Sequence, residues 1–411
     1  MAQTIFIIIV AILVFEYLTT RILDYLNSTW RGKELPEELQ GIYDEEKYKK
    51  SQEYGKVNSR FGLISGTFHF VLVLLMLFLG GFAYFDEIAR SFTQHPVWAA
   101  LIFFGILFFL SDLISLPFSW YSTFVIEEKF GFNKTTVKTF ITDKLKGWML
   151  AIVIGGALLG LIIWLYFQTT DRFWIYAWAA VSGFSIFMTM FYSNLIVPLF
   201  NKQTPLEDGE LRDAIQEFSK KAGFELDNIY VIDGSKRSSK ANAYFTGLGK
   251  KKRIVLYDTL INDLSVNEIV AVLAHEIGHY KLKHTLISLI LSIIQTGVIF
   301  YILSLFVGNK ELSLALGADD YSFELSLIAF GMLFSPISTI IGLVMNVFSR
   351  KNEYAADHFA KSYGLGNELI SALKKLSVNN LTNLTPHPAY VFAYYSHPTL
   401  YQRIKAINEG E

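Results

Sequence analysis

The sequence predicts an all-α membrane protein that crosses the bilayer seven times and carries a small α+β domain on its cytoplasmic side. Of its 411 residues, 52% are hydrophobic and only 18% are charged, and the mean hydropathy is +0.35, which is unusual for a soluble domain. Seven apolar stretches of about 20 residues could each cross about 30 Å of hydrocarbon as a helix. Of the 36 lysines and arginines, 33 lie in alternate loops, as expected if those loops face the cytoplasm.

The first apolar stretch, residues 4–18, has no basic residue before it and no small-residue cleavage site after it. We therefore interpret it as a retained span and not as a secretory signal. The remaining stretches are 61–83, 98–119, 147–168, 174–200, 285–306 and 322–347. With seven spans, the basic loops place the N-terminus outside and the C-terminus inside.

These spans divide the chain into four predicted regions. Residues 1–200 form an N-terminal membrane region with five spans, and 285–349 hold spans six and seven. Residues 201–284 and 350–411 are cytoplasmic, and we expect them to form one domain. In the first of these, Arg253–Tyr257 is predicted to be a strand, with Ala243–Thr246 as its hairpin partner across the turn at residues 247–249.

The composition restricts the chemistry. The net charge of -1 provides no general field that would attract nucleic acid. There is no cysteine, so disulfides, thiolate nucleophiles and cysteine metal ligands are excluded and only histidine and carboxylate ligands remain. Polar residues within the spans either face an interior cavity or bond to another helix, and none is assigned a catalytic role; they include Glu16, His69, Asp112, Asn194, Gln295 and Asn346.

One helix carries the motif that indicates chemistry. Ser265 and Glu268 form a predicted capping box, so a helix should begin there. The helix carries the HExxH motif His275-Glu276-Ile277-Gly278-His279. Two imidazoles four residues apart share a helical face and can bind one metal ion, with Glu276 beside the position of a metal-bound water. The alternative is the polar face of a surface helix.

A catalytic zinc ion needs a third protein ligand and an open position. Span six leaves the cytoplasm just after His279 and span seven returns near Arg350, so the residues after span seven should lie beside the motif. Glu353 and Asp357 are four residues apart there. This spacing suits a carboxylate ligand and a second carboxylate that orients an imidazole. A solvated acidic face is the alternative, and it would explain Asp357 more easily than Glu353.

The expected reaction is hydrolysis by zinc-activated water. One Zn²⁺ per chain would lower the pKa of its water, and Glu276 would accept the proton and return it to the leaving amine. The oxyanion needs a further donor. The candidates, each of which could instead be structural, are His397, Arg403, Tyr394 and Tyr395.

Further blocks of sequence accompany the motif, at residues 124–133, 198–202, 242–244, 252–260, 352–357 and 396–398. In this order they resemble the type I CAAX prenyl proteases, and the resemblance covers nearly the whole chain. It implies seven transmembrane helices around an internal chamber, with a small cytoplasmic α+β zincin-like metalloprotease domain. It also implies that the zinc site opens into that chamber.

The resemblance implies residue roles as well. His275, His279 and Glu353 would be the zinc ligands. Glu276 would be the general base, and Asp357 would be the carboxylate that orients a ligating imidazole. It places His397 and Arg403 near the zinc-bound intermediate. An extended substrate would add to an edge strand formed by Asn242, Ala243 and Tyr244.

The implied substrates are peptides or proteins that end in a prenylated cysteine and three further residues, which are removed. Prenyl-independent quality control of membrane proteins is an alternative. A transporter with a structural metal site is another alternative, although a structural site has no need of Glu276. A third is an inactive scaffold, which would lack a metal ligand or the base.

Membrane lipid is an expected partner and nucleic acid is not. The compact chain favours a prokaryotic plasma membrane over the endoplasmic reticulum.

Overall fold

A computed structural model describes residues 1–224, 229–247 and 253–409. Leu248, Gly249 and Lys252, which belong to the predicted turn and to one of the sequence blocks, lie outside these ranges. The helices are α1 (Ala2–Thr29), α2 (Glu45–Phe78), α3 (Gly81–Phe92), α4 (Pro96–Tyr121), α5 (Glu128–Phe130), α6 (Val137–Leu150), α7 (Gly156–Thr169), α8 (Phe173–Leu195), α9 (Val197–Phe200), α10 (Glu210–Lys221), α11 (Asp258–Asp263), α12 (Val266–Lys281), α13 (His284–Phe306), α14 (Lys310–Ala315), α15 (Phe323–Ser362), α16 (Gly366–Asn379), α17 (Pro388–Tyr394) and α18 (Leu400–Glu409). The strands are β1 (Gln203–Pro205), β2 (Ile229–Ile232), β3 (Ala243–Thr246) and β4 (Arg253–Tyr257).

The prediction of seven spans is confirmed. Seven helical stretches in the described part of the chain are long and apolar enough to cross a membrane. In two of them a π-helical segment continues the span, Ser122–Glu127 after α4 and Ala151–Gly155 between α6 and α7. The predicted end of the second span at residue 83 is wrong, because α2 ends at Phe78 and Gly80 has a φ of +67° that starts the separate helix α3.

The seven membrane helices bury little of their surface against one another. Only 6% to 17% of the most apolar part of each span is buried. Low burial is expected for helices that face lipid, and the internal chamber stays a prediction. Three of the polar residues within the spans form links between helices, since His69 lies 3.0 Å from Ser115, Asp112 pairs with Lys144 at 2.7 Å, and Asn346 donates to the carbonyl of Ala393.

The sheet lies in the predicted α+β domain and has the strand order β1-β2-β4-β3. The predicted hairpin is confirmed, because β3 and β4 pair antiparallel with Tyr244 opposite Val255. The parallel neighbour β2 and the antiparallel strand β1 complete the sheet. The strand β3 is therefore an edge, and its outer side faces no other strand in the described part of the chain.

One apolar core joins the two segments that were predicted to form a single domain. It contains Leu256 of β4 and Leu273 of α12 together with Ala360 of α15, Leu369 of α16 and Ile407 of α18, all at most 4% exposed. Helices α12 and α15 therefore pack against each other at the position where the motif and the returning span were expected to meet. The boundaries of the four predicted regions stay a prediction.

Candidate metal centre

Helix α12 begins at a fixed point and carries the motif into the core. The Ser265 N–H donates to Glu268 at 2.8 Å, and the Glu268 N–H donates back to the Ser265 hydroxyl, so the predicted capping box is confirmed. The Glu268 carboxylate also accepts hydrogen bonds from Ser371 and Lys375 of α16. These contacts hold the start of the motif helix against the C-terminal half of the domain.

The structure brings His275, His279 and Glu353 together. The two histidine Nε2 atoms are 3.2 Å apart. Glu353 places Oε1 at 3.2 Å from the His279 Nε2 and Oε2 at 3.5 Å from the His275 Nε2. All three side chains are mostly buried, with 8%, 20% and 6% of their surface exposed. Three atoms that could bind one metal ion thus converge from α12 and α15.

Two observations indicate that these residues fit a metal ion. Zinc bonds of about 2.0–2.1 Å at tetrahedral angles separate neighbouring ligand atoms by roughly 3.3 Å, which is close to the observed separations of 3.2–3.5 Å. In addition, the buried Oε2 of Glu353 has no hydrogen-bond partner among the described residues. A buried charged oxygen without a donor is costly. A cation between the three side chains would satisfy it.

Asp357 lies one helical turn after Glu353 and faces the back of His275. Its Oδ1 is 2.8 Å from the His275 Nδ1, on the side of the ring opposite the cluster. Arg403 of α18 donates to both oxygens of Asp357, at 2.8 and 2.5 Å, and its Nη1 lies 3.7 Å from Glu353. Arg403 is only 11% exposed, so this buried carboxylate and guanidinium hold each other and the imidazole in place.

His284 is a residue that the sequence reasoning missed. Lys283 has a φ of +61° between α12 and α13, and the His284 Nδ1 lies 3.0 Å from the His279 Nδ1. An imidazole that binds a metal through Nε2 carries its proton on Nδ1, so His279 would donate this proton to His284. The sequence did contain one signal for its place in the site, since His284 follows the last residue of the motif by only five positions.

The other candidates differ in position. The His397 Nε2 lies 3.4 Å from the Glu353 Oε1, and the side chain is 64% exposed, so this ring stands at the open side of the cluster. The Tyr394 hydroxyl bonds to Thr20 of α1 instead of reaching the cluster.

Glu276 is half-buried and has no hydrogen bond to any residue that the structure describes, which leaves both of its oxygens free to bind water.

Asn242, Ala243 and Tyr244 lie at the predicted edge. The Asn242 carbonyl accepts from the Tyr257 N–H at 3.1 Å, so pairing with the β4 side begins one residue before β3. The ring of Phe245 packs on Tyr280 of α12, with the centroids 5.2 Å apart. Tyr280 directly follows His279, so the edge strand runs beside the end of the motif helix.

The charges around His275 affect its pKa, and therefore the pH at which its imidazole can bind a metal ion. Burial and the nearby Arg403 act to lower the pKa of His275, but the interactions with the carboxylates of Asp357 and Glu353 outweigh them and raise that pKa above its ordinary value. The raised pKa favours the protonated form of this imidazole when no cation is bound. Binding of a metal would displace this proton, and affinity should fall as the pH falls.

Comparisons with protein families divide the chain into two matched parts. Residues 24–202 match the family described as the CAAX prenyl protease N-terminal region with five membrane helices. Residues 205–411 match peptidase family M48. The second match contains the motif, Glu353, Asp357 and Arg403. The first contains four of the seven spans in full and only the last six residues of α1.

Individual relatives match over nearly their full length. The CAAX prenyl protease 1 of Saccharomyces cerevisiae is 36% identical, over 96% of this chain and 92% of that protein. The Arabidopsis thaliana and Homo sapiens homologues of CAAX prenyl protease 1 are 38% and 34% identical, over 92% and 91% of this chain and 91% and 88% of theirs. The crystal structure of S. mikatae Ste24p superposes with a TM-score of 0.94 at 35% identity and covers 98% of this chain and 99% of that one.

Proposed function

Because this chain belongs to peptidase family M48, as an integral-membrane metalloendopeptidase similar to the CAAX prenyl proteases, we propose that it works with one zinc ion held by His275, His279 and Glu353. The observation that carries this proposal is the spacing of the three ligating atoms, which suits a tetrahedral ion. The ligands are two imidazoles and one carboxylate, a set typical of zinc peptidases, and the fourth position is open for water or substrate.

The bound metal would supply a Lewis acid for the scissile carbonyl and a water of lowered pKa. Glu276 accepts a proton from the attacking water and transfers it to the amine as the peptide C–N bond breaks, so the products are a carboxylate and a free amine. Its lack of hydrogen bonds to the described residues leaves its carboxylate free for both transfers.

Three other side chains support the reaction in this proposal. Asp357 accepts a hydrogen bond from the Nδ1–H of His275 and so fixes the tautomer that presents Nε2 to the metal. Arg403 holds Asp357 through two hydrogen bonds and adds positive charge beside Glu353. His397 stands at the exposed rim, where its Nε2 can donate a hydrogen bond to the oxyanion that forms at the scissile carbonyl.

We propose a protein that ends in a prenylated cysteine and three further residues as the substrate. The relatives are named for this class of substrate. The unpaired side of β3 offers main-chain donors and acceptors to an extended peptide, with Asn242, Ala243 and Tyr244 at its start. The sequence after the cysteine would then lie along the edge strand beside α12.

Prenyl-independent proteolysis of membrane proteins is the second candidate. It is favoured by the same edge strand, since main-chain pairing places few demands on the side chains of the substrate. For either substrate we propose that the M48 part faces the cytoplasm, because 33 of the 36 basic residues lie on its side of the predicted topology. The expectation of a prokaryotic plasma membrane finds no support in the yeast, plant and human relatives.

The test compares purified wild-type protein with Glu276→Gln and with Glu217→Gln, a matched change on the exposed face of α10. Metal content is measured by elemental analysis. Cleavage is measured on a farnesylated peptide and on the same peptide without the lipid. Glu276→Gln should retain the metal and lose cleavage by a factor of at least 100, since it removes the general base, while Glu217→Gln should match wild type.

The two substrates separate the two candidates. Cleavage of only the farnesylated peptide supports the prenyl-dependent function, and equal cleavage of both supports general proteolysis. Full activity of Glu276→Gln would refute the proposed role of Glu276. Loss of metal from Glu276→Gln would show that this residue belongs to the ligand set instead.

A further inference from the structure

A basic cavity lies between the membrane helices and the sheet, away from the residues of the metal centre. Its volume is about 720 Å³, which is within the range of small-molecule sites. It is lined by the last turn of α9, where a membrane span ends at Phe200, and by residues of β1, β2 and β4. The residues that define its chemistry are Lys146, Lys202, Lys236, Arg253, Asn194 and Tyr230.

The cavity carries four positive charges without a matching negative charge. None of the eleven described residues that line it is acidic. Lys146 and Lys236 donate to the carbonyls of Leu199 and Phe200 at 2.6 and 3.4 Å, which leaves each ammonium with further hydrogen atoms to donate. The Lys202 side chain is exposed and makes no hydrogen bond or ion pair to the described residues.

The acidic residues nearby are already engaged. Asp233 accepts hydrogen bonds from the Asn201 amide and from the main-chain N–H of Lys202. Asp143 pairs with Arg237 at 2.7 Å. Arg237 neutralises Asp143, whereas Asp233 accepts only from uncharged groups and keeps its charge. The four cations of the cavity still outnumber this one carboxylate. Clustered like charges repel one another, so a bound anion would stabilise this arrangement.

The depth of the cavity indicates which anion. Lys146 lies in the first turns of the span 137–169 and Phe200 ends the span 173–200, so both are at the level of lipid headgroups. The aromatic rings of Phe200 and Tyr230 line the site, and the Arg253 guanidinium stacks on Tyr230 at 4.4 Å. Basic pockets at this depth between membrane helices suit phosphorylated lipid headgroups.

We propose that this cavity binds the phosphomonoester headgroup of an anionic phospholipid, such as a phosphoinositide. The shared chemistry is a phosphate group with a charge of about -2, which lysine ammonium groups and an arginine fork can bind together. The acyl chains would extend into the bilayer beside the end of α9. This binding site is separate from the proposed zinc site and would exist whether or not that proposal is correct.

The test is a binding titration on the full-length protein in neutral detergent. The probes are a fluorescent short-chain phosphatidylinositol phosphate and the matching phosphatidylcholine. The double variant Lys202→Gln with Lys236→Gln removes two charges from the cavity. The control pair Lys220→Gln with Lys405→Gln removes two charges from exposed lysines that do not line it.

We expect the double variant to weaken phosphoinositide binding about 30-fold. This is about 2 kcal/mol at 1.4 kcal/mol per tenfold, for two lysines that each contribute about 1 kcal/mol. The control pair should change it less than about twofold, since distant exposed charges are screened. Lys202→Glu provides a second variant, because its side chain makes no contact that folding requires. Equal binding of the two lipids, or equal losses in the two double variants, would overturn the proposal.

A competition experiment identifies the source of the phosphate. Free inositol phosphate carries the headgroup without the acyl chains. If more than about 100-fold excess over the lipid is needed for displacement, the lipid is the ligand, since each buried methylene of its chains adds about 0.8 kcal/mol. Displacement at equal concentration would overturn the assignment to a lipid and would make a soluble phosphate the ligand.

Discussion

Replacement of Asp357 by asparagine tests how the metal centre is held. Asp357 accepts one hydrogen bond from His275 and two from Arg403, at 2.8, 2.8 and 2.5 Å. An asparagine has one acceptor oxygen, and its amide hydrogens would face the donors of Arg403 or of His275. At least one charge-assisted hydrogen bond is therefore lost, which is worth about 1.5–3 kcal/mol.

The loss should appear mainly as weaker metal binding. Removal of the partner behind a ligating histidine typically lowers metal affinity by about 10–100-fold, or about 1.4–2.8 kcal/mol. Because Arg403 is only 11% exposed, its unpaired guanidinium should also lower the free energy of unfolding by about 1–3 kcal/mol. The assays are competition for zinc with a chromophoric chelator and thermal unfolding in detergent.

The matched control is Asp143→Asn, which breaks another pair of a carboxylate and an arginine. Asp143 contacts the Nε and Nη2 of Arg237 at 2.7 and 2.9 Å, but neither residue touches the ligand cluster. This variant should lose stability without a change in metal affinity. If Asp357→Asn binds zinc as tightly as wild type does, the inference that Asp357 orients His275 is refuted.

Three further changes follow from the same contacts. His284→Phe removes the partner of the second motif histidine and should weaken zinc binding by roughly tenfold, with His284→Asn restoring part of it in the chelator assay. Hydrogen bonds to α16 outweigh burial and hold the pKa of Glu268 at about 2. The free energy of unfolding of wild type should therefore exceed that of Glu268→Gln by about 1–2 kcal/mol at pH 7, after allowance for solvent screening. This difference should disappear as the pH falls from about 4.5 toward 2, and a difference that persists at low pH would contradict the charge as its cause. A Cβ at Gly278 would lie 3.1 Å from Phe359, so Gly278→Ala should cost about 1 kcal/mol of stability, whereas Gly147→Ala in a helix with open space should stabilise the protein or leave it unchanged in the same thermal unfolding assay.

Much of the fold could be predicted because the relevant signals are local and large. Apolar length and the distribution of basic residues identified the seven spans, and the pairing of Ser265 with Glu268 located the start of α12. The limits of these signals are also visible. A helix that ends at a single left-handed glycine, as at Gly80, leaves no mark on hydropathy. The strand β1 has only three residues, too few for a periodic pattern.

The residues of the candidate site were predictable to different degrees. The position of Glu353 followed from topology, because span seven returns beside the helix that leads into span six. The contact of His284 with His279 depends on the left-handed conformation of Lys283, and lysine has no special preference for it. The hydrogen bonds of Arg403 depend on the packing of α18 against α15, so the sequence alone identified a nearby cation but not its partner.

The position of Glu353 on a continuous membrane helix explains a further set of contacts. Helix α15 contains Pro336, where helices bend, and Glu353 follows 17 residues later, about 26 Å along the axis. A change of 2° at the bend would move the carboxylate by roughly 0.9 Å, more than the ~0.5 Å that a functional site tolerates. Asn346 and Arg350 lie between the two positions and donate to the carbonyls of Ala393 and Tyr395, at 2.9 and 2.5 Å. These bonds hold α15 against the end of α17 just before Glu353, so they limit how far a bend at Pro336 could displace the proposed metal ligand.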